Sequence, residues 1–207
     1  MDRAPDNYVQ SLKKECRART IAGVAYLLAL AAFAYFAGVY DRFPGDQAIS
    51  TWVQSWRTDW IDTVMETVSL AGNNLAAVVL VLLTAGLFCV WKRSEFAVLV
   101  ILATVLGVAF RGVLKIAVSR PRPDAELVQV LSEVDSASFP SGHVMHYAVL
   151  LGTVTFILRS KIKPGMQIWL VQIAASIALV SIGLSRIYLG VHWFSDVVGG
   201  WAFGAII

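Results

Sequence analysis

Three short groups of polar residues lie beside apolar segments of the sequence, where few polar side chains are expected. The groups bring basic residues, histidines and an aspartate together, and they comprise Lys115, Arg120, Arg122 and Pro123, then Pro140, Ser141, Gly142 and His143, then Ser185, Arg186, His192 and Asp196. Lys115, Arg122 and Arg186 are cations, and arginine offers forked donors that fit the oxygens of a phosphate. The three groups therefore predict a site for a phosphate-like anion.

Ser141 and Gly142 add backbone donors to this predicted site. Both lie where a helix should begin, and Pro140 is well placed to start it. Unpaired N–H groups and the helix dipole at such an N-terminus favour a negative charge, and a glycine lets the backbone approach closely. We therefore assign Ser141 and Gly142 to phosphate binding, together with the three cations.

His192 and Asp196 can carry the chemistry. They are four residues apart, so if a helix has begun by His192 they share one face, and the carboxylate accepts a hydrogen bond from one ring nitrogen. The other nitrogen is then fixed as a nucleophile or base. His143, on a separate helix, can donate a proton to the leaving oxygen. The pattern predicts phosphoryl transfer through a phosphohistidine, with the cations stabilising the transferred group.

The three groups resemble the signature motifs of the type 2 phosphatidic acid phosphatase superfamily, in the same order. The resemblance rests on Lys115-x6-Arg122-Pro123, Pro140-Ser141-Gly142-His143 and Ser185-Arg186-x5-His192-x3-Asp196. It implies that His192 is the nucleophile, that Asp196 orients it, and that His143 acts as general acid and later as the base that activates water. It further implies that the phosphate is bound by Lys115, Arg122, Ser141, Gly142 and Arg186.

The same resemblance implies an enzyme that works without a metal or another cofactor. The chain has three histidines, namely His143, His146 and His192, and their spacing is not that of zinc ligands. We therefore expect a hydrolase that acts on lipid phosphates and holds no metal.

The composition indicates a membrane protein. Hydrophobic residues make up 57% of the 207 residues, charged residues make up 15%, and the mean hydropathy is +0.68. A soluble domain carries roughly 25% charged residues. The net charge of +3 and the pI near 9.0 do not indicate nucleic acid, because the basic residues are not gathered into one patch and several lie at the ends of apolar runs. Membrane lipids are the better partner.

Apolar runs long enough to cross about 30 Å of hydrocarbon as a helix recur along the chain. Five are clear, namely Ile21–Tyr40, Leu75–Trp91, Phe96–Val118, Val144–Leu158 and Ile168–Leu184. A sixth begins near Gly190 and is still apolar at Ile207. We therefore expect an all-α bundle of six transmembrane helices, in a single domain over residues 1–207 whose last helix continues beyond the sequence. Tryptophans at helical spacing within residues 47–70 predict an amphipathic helix at the membrane interface.

Basic residues beside the apolar runs predict the orientation. In a six-span chain one side holds the N-terminal arm and two connections, with Arg3, Lys13, Lys14, Arg17, Arg19, Lys92, Arg93, Arg159, Lys161 and Lys163. Cytoplasmic loops carry the excess of lysine and arginine, so the N-terminus should be cytoplasmic and the motifs should face the extracytoplasmic side. The small size and the absence of an Asn-x-Ser/Thr sequon favour a bacterial plasma membrane.

Several alternatives remain open at this point. The substrate is expected to be undecaprenyl pyrophosphate, phosphatidylglycerophosphate or phosphatidate, and the family resemblance favours an isoprenoid pyrophosphate. A vanadium haloperoxidase is disfavoured because those relatives are soluble, and a non-catalytic lipid-binding relative is disfavoured because it should lack the histidines or the aspartate. Outside the motif positions we interpret Arg111 as snorkelling or structural and His146 as a packing residue, while Arg120 is left open as a substrate contact.

Overall fold

The computed structural model describes residues 6–132, 134–163 and 165–207, so Arg3, which contributes to the predicted orientation, lies outside the described residues. Within these ranges the chain forms eight α-helices and no β-strand. The helices are α1 (Asp6–Val39), α2 (Asp46–Gln54), α3 (Asp59–Ala71), α4 (Asn74–Val90), α5 (Ser94–Val118), α6 (Gly142–Lys161), α7 (Met166–Tyr188) and α8 (Phe194–Gly204). The predicted all-helical fold is confirmed, and the five clear apolar runs correspond to α1, α4, α5, α6 and α7.

Three helices are long and apolar enough to cross a membrane on their own, namely α1 over Gln10–Val39, α5 and α7. The pair of α3 and α4 is bent by 58° and adds a fourth candidate if it counts as one span. Helix α6 carries two histidines near its start and two basic residues in its last turn, and α8 has 11 residues, about half the length of a span. The described ranges therefore hold three or four candidate spans, and the count of six stays a prediction.

The segment predicted as one amphipathic helix over residues 47–70 forms two helices instead. Helix α3 has a start of its own, because the Thr58 side chain caps it by accepting a hydrogen bond from the Ile61 amide. The Trp52 and Trp60 side chains are exposed on α2 and α3. A break between two short helices thus replaces the continuous helix, and the location at a membrane interface stays a prediction.

Helix α6 connects the buried parts of the bundle. It packs against α5, α7 and α8 and contributes to three buried apolar clusters. Val144 lies with residues of α7 and α8, Met145 with Phe139 and Phe203, and Leu150 with residues of α4 and α5. Between membrane helices such contacts stabilise the bundle mainly through close van der Waals packing. Because these contacts surround the first half of α6, the start of that helix has a fixed position.

Helices α6 and α8 approach closely because α8 presents glycines to α6. A Cβ atom on Gly204 would lie 2.6 Å from the Ala148 Cβ, and one on Gly200 would lie 2.8 Å from the Val144 Cβ. Small residues let neighbouring membrane helices pack backbone against backbone. The Ser141 amide also donates to the Asp196 carbonyl at 3.0 Å, so the start of α6 is fixed against the start of α8.

Large apolar side chains cover the outer faces of the long helices. Leu28 on α1, Leu102 on α5 and Ile177 on α7 are each exposed by about two thirds, at 65%, 60% and 61%. Soluble proteins rarely expose apolar surface over such contiguous areas. This surface fits contact with lipid, as expected for a membrane protein.

Candidate active site

His192 lies in the turn before α8, and Asp196 lies in the first turn of that helix. The His192 Nδ1 is 3.5 Å from the Asp196 Oδ2. Helix α8 begins only at Phe194, so the two residues do not share a helical face, as the four-residue spacing had suggested. Capping brings them together instead, because Asp196 Oδ2 also accepts a hydrogen bond from the Trp193 amide at 2.9 Å. That bond holds the carboxylate beside the turn that carries His192.

Two further side chains fix the Asp196 carboxylate. The Ser138 hydroxyl donates to Oδ2, and Arg120 Nη1 lies 2.7 Å from Oδ1. Asp196 is fully buried, and both of its carboxylate oxygens are engaged by donors from other parts of the chain. The orientation of the carboxylate toward His192 is therefore set by its surroundings.

Arg120 lies between two buried carboxylates. Its Nη1 contacts Asp196, its Nη2 is 3.0 Å from Asp46 Oδ2, and its Nε donates to two backbone carbonyls that follow α1 at 3.2 Å. Asp46 also accepts hydrogen bonds from the amide and the hydroxyl of Ser195. Only 1% of Arg120 is exposed. Arg120, left open above as a substrate contact, is thus part of the framework beneath the site.

Sequence reasoning missed Asp46 and the serines that contact the site, Ser136 and Ser138. Asp46 begins α2 and is buried, whereas Asp41, five residues earlier, is exposed. The one available signal was its place in the first turn of a helix, where carboxylates are common. The two serines lie in a loop that the sequence left without a predicted role.

Basic residues from two parts of the chain meet at this loop and at His192. Arg122 Nη1 is 3.4 Å from His192 Nε2, and Arg122 Nε donates to the Ser136 carbonyl at 2.7 Å. Lys115, in the last turn of α5, donates to the Ala137 carbonyl. The Ser136 hydroxyl lies 3.0 Å from Arg122 Nη2 and 3.4 Å from Lys115 Nζ. The loop therefore holds both cations on the side of the free ring nitrogen.

Arg186 and Ser141 carry buried polar atoms without a protein partner. Arg186, in the last turn of α7, donates from Nη1 to the Ser69 hydroxyl. Its Nε and the Ser141 hydroxyl have no hydrogen-bond partner among the described residues. Buried polar groups in proteins are nearly always paired. These two atoms are therefore available to a ligand that accepts hydrogen bonds. The Ser141 amide, predicted above as a backbone donor, is instead paired with the Asp196 carbonyl.

The start of α6 completes this end of the bundle. The Gly142 backbone lies against Arg111, because a Cβ atom at that position would be 2.8 Å from Arg111 Nη1. The His143 ring lies against the junction of α3 and α4, where a Cβ atom on Gly72 would be 2.1 Å from the ring Cδ2. A side chain at either glycine would displace a functional group.

His192 is neutral at physiological pH. Burial lowers its pKa to about 4, although the hydrogen bond and charge of Asp196 act in the opposite direction. A neutral ring that directs its Nδ1–H toward Asp196 keeps a lone pair on Nε2, the nitrogen beside Arg122. Such a lone pair can attack a phosphorus atom held by the basic residues.

All eight residues predicted from the sequence lie at helix ends or in the loop and turn beside them, at one end of the bundle. They come from the end of α5, the loop after it, the start of α6, the end of α7 and the start of α8, and they are Lys115, Arg122, Ser141, Gly142, His143, Arg186, His192 and Asp196. Within the described ranges, histidine, cysteine and acidic side chains do not form a group of three or more that could hold a metal ion.

Comparison with known proteins gives one family. The model of the PAP2 superfamily matches residues 96–207, the part of the chain that contains all eight residues. Phosphatidylglycerophosphatase B of Bacillus subtilis (strain 168) is 32% identical over 170 residues, which are 78% of this chain and 79% of the relative. The undecaprenyl-diphosphatase of Sulfolobus acidocaldarius is 40% identical over 70 residues, which are 34% of this chain and 30% of the relative.

Two solved structures are similar. The transmembrane PAP2-type phosphatidylglycerolphosphate phosphatase from Bacillus subtilis superposes with a TM-score of 0.74 at 29% identity, over 86% of this chain and 90% of that one. Aquifex aeolicus LpxE superposes with a TM-score of 0.64 at 23% identity, over 80% of this chain and 93% of that one. The second similarity supports the fold alone.

Proposed function

The chain belongs to the PAP2 superfamily, and on this premise we propose that it is a membrane phosphatase that hydrolyses the phosphate of a lipid. The observation that carries the proposal is the geometry at His192. One ring nitrogen faces a buried carboxylate at 3.5 Å, and the other faces Arg122 at 3.4 Å. Two of the relatives, named as a phosphatidylglycerophosphatase and an undecaprenyl-diphosphatase, act on lipid phosphates.

In the proposed first step, the lone pair of His192 Nε2 attacks the phosphorus, and the bond from phosphorus to the leaving oxygen breaks. His143 donates its proton to that oxygen. The ring gains positive charge, which Asp196 stabilises. Arg122 and the N–H groups at the start of α6 stabilise the charge on the transferred phosphoryl group, together with Lys115 and Arg186.

In the proposed second step, water attacks the phosphorus of the phosphohistidine and the bond to Nε2 breaks. His143, now neutral, takes a proton from that water and returns to its starting state. His192 is released as the neutral ring, and inorganic phosphate leaves. The scheme assigns no role to a metal or another cofactor.

We propose a single membrane-embedded domain of six spans, formed by α1, α4, α5, α6, α7 and α8. The opposed ends of the helices support the orientation. Exposed basic residues lie in the first half of α1, between α4 and α5, and at the end of α6, whereas the site lies at the other ends. With the basic ends in the cytoplasm, the site faces the extracytoplasmic side of a bacterial plasma membrane, and α2 and α3 lie at its interface.

The substrate class follows from the relatives and from the site. We propose undecaprenyl pyrophosphate, phosphatidylglycerophosphate or phosphatidate, each of which would keep its hydrocarbon in the bilayer while its phosphate contacts the basic residues. An isoprenoid pyrophosphate is preferred among the three. Unpaired donors at Arg186 Nε and Ser141 Oγ suit a terminal phosphate, whose three oxygens accept hydrogen bonds.

The test is phosphate release by the purified protein in detergent, with excess EDTA, from a panel of these lipids. We expect release that persists in EDTA and falls at least about 10³-fold in His192→Ala. Arg159→Ala is the matched control, because Arg159 is exposed near the far end of α6, and it should retain activity. A folded protein that releases phosphate from none of the lipids would contradict the proposal.

The phosphohistidine is tested separately with a lipid that carries radioactive phosphate. After a rapid quench, wild-type protein should retain an acid-labile, base-stable label, and His192→Ala should retain none. A label that survives acid, or one that persists without His192, would place the covalent bond on another residue.

A further inference from the structure

A cavity of about 530 Å³ opens beside the site, between α4, α5 and the start of α6. Its three basic or imidazole side chains, those of Arg111, His143 and His146, lie at one end. The other polar residues in the lining are Asn74 and Thr104. The remaining walls are mainly aliphatic, and they include Val78, Val81, Leu82, Ile101, Val105 and Val108. The cavity is thus amphipathic along its length, with a basic end and a hydrocarbon end.

Arg111 and His146 have no part in the reaction scheme described above. Arg111 forms no salt bridge within the described ranges, and it lies against the Gly142 backbone at the phosphate end of α6. His146 Nε2 is buried and has no hydrogen-bond partner among the described side chains and backbone. A basic group without a counter-charge and a buried ring nitrogen without a partner share one cavity wall.

The in-line geometry of phosphoryl transfer places the leaving group at this wall of the cavity. Phosphoryl transfer requires the nucleophile and the leaving oxygen on opposite sides of the phosphorus. With His192 as nucleophile, the leaving oxygen lies on the side of His143, and His143 lines the cavity. Arg111 is one helical turn before Lys115 on α5, about 6 Å farther along the helix, and therefore farther into the proposed span. A leaving group that extends from His143 toward the bilayer passes Arg111 and His146.

We propose that Arg111 and His146 bind a second phosphate, the one that stays on the lipid, and that they make the enzyme selective for lipid diphosphates. The proposal rests on the proposed function. When a diphosphate reacts, the bond between the terminal phosphorus and the bridging oxygen breaks, and that oxygen leaves with a lipid monophosphate. The monophosphate carries negative charge, which Arg111 compensates, while its hydrocarbon lies against the apolar walls. A lipid monophosphate instead releases an alcohol, which offers no anion to Arg111.

The test compares two substrates with one tail, farnesyl diphosphate and farnesyl monophosphate, in the same detergent. The quantity is the ratio of kcat/KM for the diphosphate to kcat/KM for the monophosphate. We expect Arg111→Gln to lower this ratio about 10- to 100-fold, since a hydrogen-bonded charge is lost from one reaction only. His146→Gln should lower it less, and Arg111→Lys should restore part of it. Partial misfolding cancels in the ratio, because both substrates meet the same preparation.

Arg159→Gln is the matched control, because it removes an exposed arginine near the far end of α6, and it should leave the ratio at the wild-type value. Equal losses on both substrates in Arg111→Gln would overturn the proposal, since Arg111 would then act on the transferred phosphate or on the fold. An unchanged ratio in both Arg111→Gln and His146→Gln would overturn it as well. The wild-type rates test the proposed function independently, because a folded wild-type protein inactive on both substrates would refute lipid phosphatase activity itself.

Discussion

Two arginines separated by one residue, Arg120 and Arg122, have opposite surroundings. Arg120 lies between the carboxylates of Asp46 and Asp196 and is fully enclosed. Arg122 contacts carbonyl and hydroxyl oxygens and a neutral histidine ring. Arg120, Asp46, Asp196 and Ser195 are called the anchor network below. Three cations that we propose bind the anionic phosphate are called the anion group, and they are Lys115, Arg122 and Arg186.

The anchor network and the anion group differ in charge balance. This difference distinguishes residues that support the site from those proposed to bind the phosphate. In the anchor network each charged group faces an opposite charge at hydrogen-bonding distance, so the network contributes a fixed position for Asp196. The anion group forms no salt bridge within the part of the chain that the structure describes. Partly buried cations without counter-charges cost stability, and a phosphate would compensate them.

The largest expected effect comes from breaking the anchor network. Arg120→Met leaves Asp46 and Asp196 buried without their cation, which should destabilise the protein by about 3–5 kcal/mol. We expect little folded protein in detergent and a lower denaturation midpoint in what remains. Arg159→Met, at an exposed position, should melt like the wild type. Normal melting and normal activity of Arg120→Met would refute the supporting role of the network.

Loss of a member of the anion group should have the opposite profile. Arg122→Gln should lower kcat/KM about 10²- to 10³-fold, because a donor to the transferred phosphoryl group is removed. The melting temperature should change little, because an uncompensated charge is removed while the hydrogen bonds of Arg122 to Ser136 and Val191 are lost. Measurement of both quantities on one preparation decides the point. A large fall in melting temperature would assign Arg122 to support instead.

The pH dependence should show a neutral His192. The ring is unprotonated above its pKa of about 4 and gains a proton as the pH falls through that value. We therefore expect the contribution of His192 to kcat/KM to be flat from pH 7 to pH 5 and to fall about tenfold per pH unit below 4. Histidine nitrogen NMR of the labelled protein measures the titration directly.

Asp196→Asn is the informative comparison for this titration. The carboxylate raises the pKa of His192, so its removal should move the inflection to a lower pH. An inflection of the His192 ring near pH 6.5 in the wild type would contradict the burial described here.

The smallest expected effect is stabilisation of the anion group by an inorganic anion. Phosphate at ten times its dissociation constant should stabilise the folded protein by about 1.4 kcal/mol and raise the melting temperature by about 3–5 °C. Chloride at equal ionic strength should not. The shift should shrink in Arg186→Gln, which removes the buried Nε donor. An equal shift in that variant would place the bound anion elsewhere.

Much of the fold and the site was open to prediction from the sequence. Hydropathy located α4, α5, α6 and α7 to within a few residues, because contact with lipid imposes continuous apolar runs. It also located the end of α1, but this helix begins at Asp6, well before the predicted start at Ile21. Residues such as His143 and Arg186 stand out against those runs, since a polar side chain near a span needs a reason. Their convergence was predicted from six alternating spans, which return the chain to the same face; the convergence is seen at one end of the bundle, whereas the count of six stays a prediction.

The anchor network could not be predicted in the same way. Asp46 and Arg120 are 74 residues apart. The place of Asp46 in the first turn of a helix, the one local signal, does not reveal that its side chain is buried while that of Asp41 is exposed. The position of His192 before α8 also escaped prediction, because its spacing from Asp196 fits a helix as well as a capped turn. Both features depend on long-range packing, which a single sequence does not display.

The loop at residues 136–138 already supplies oxygen atoms to Lys115 and Arg122, the cations that we propose bind a phosphate. Carbonyls of Ser136 and Ala137 accept from Arg122 and Lys115, and the Ser136 hydroxyl lies between those two side chains. An arriving phosphate exchanges these bonds for its own instead of adding new ones, so part of its affinity is cancelled. The same competition weakens the hold on the inorganic phosphate formed at the end of each cycle. On the proposed function, the loop should therefore limit product inhibition, because a more weakly bound phosphate dissociates faster.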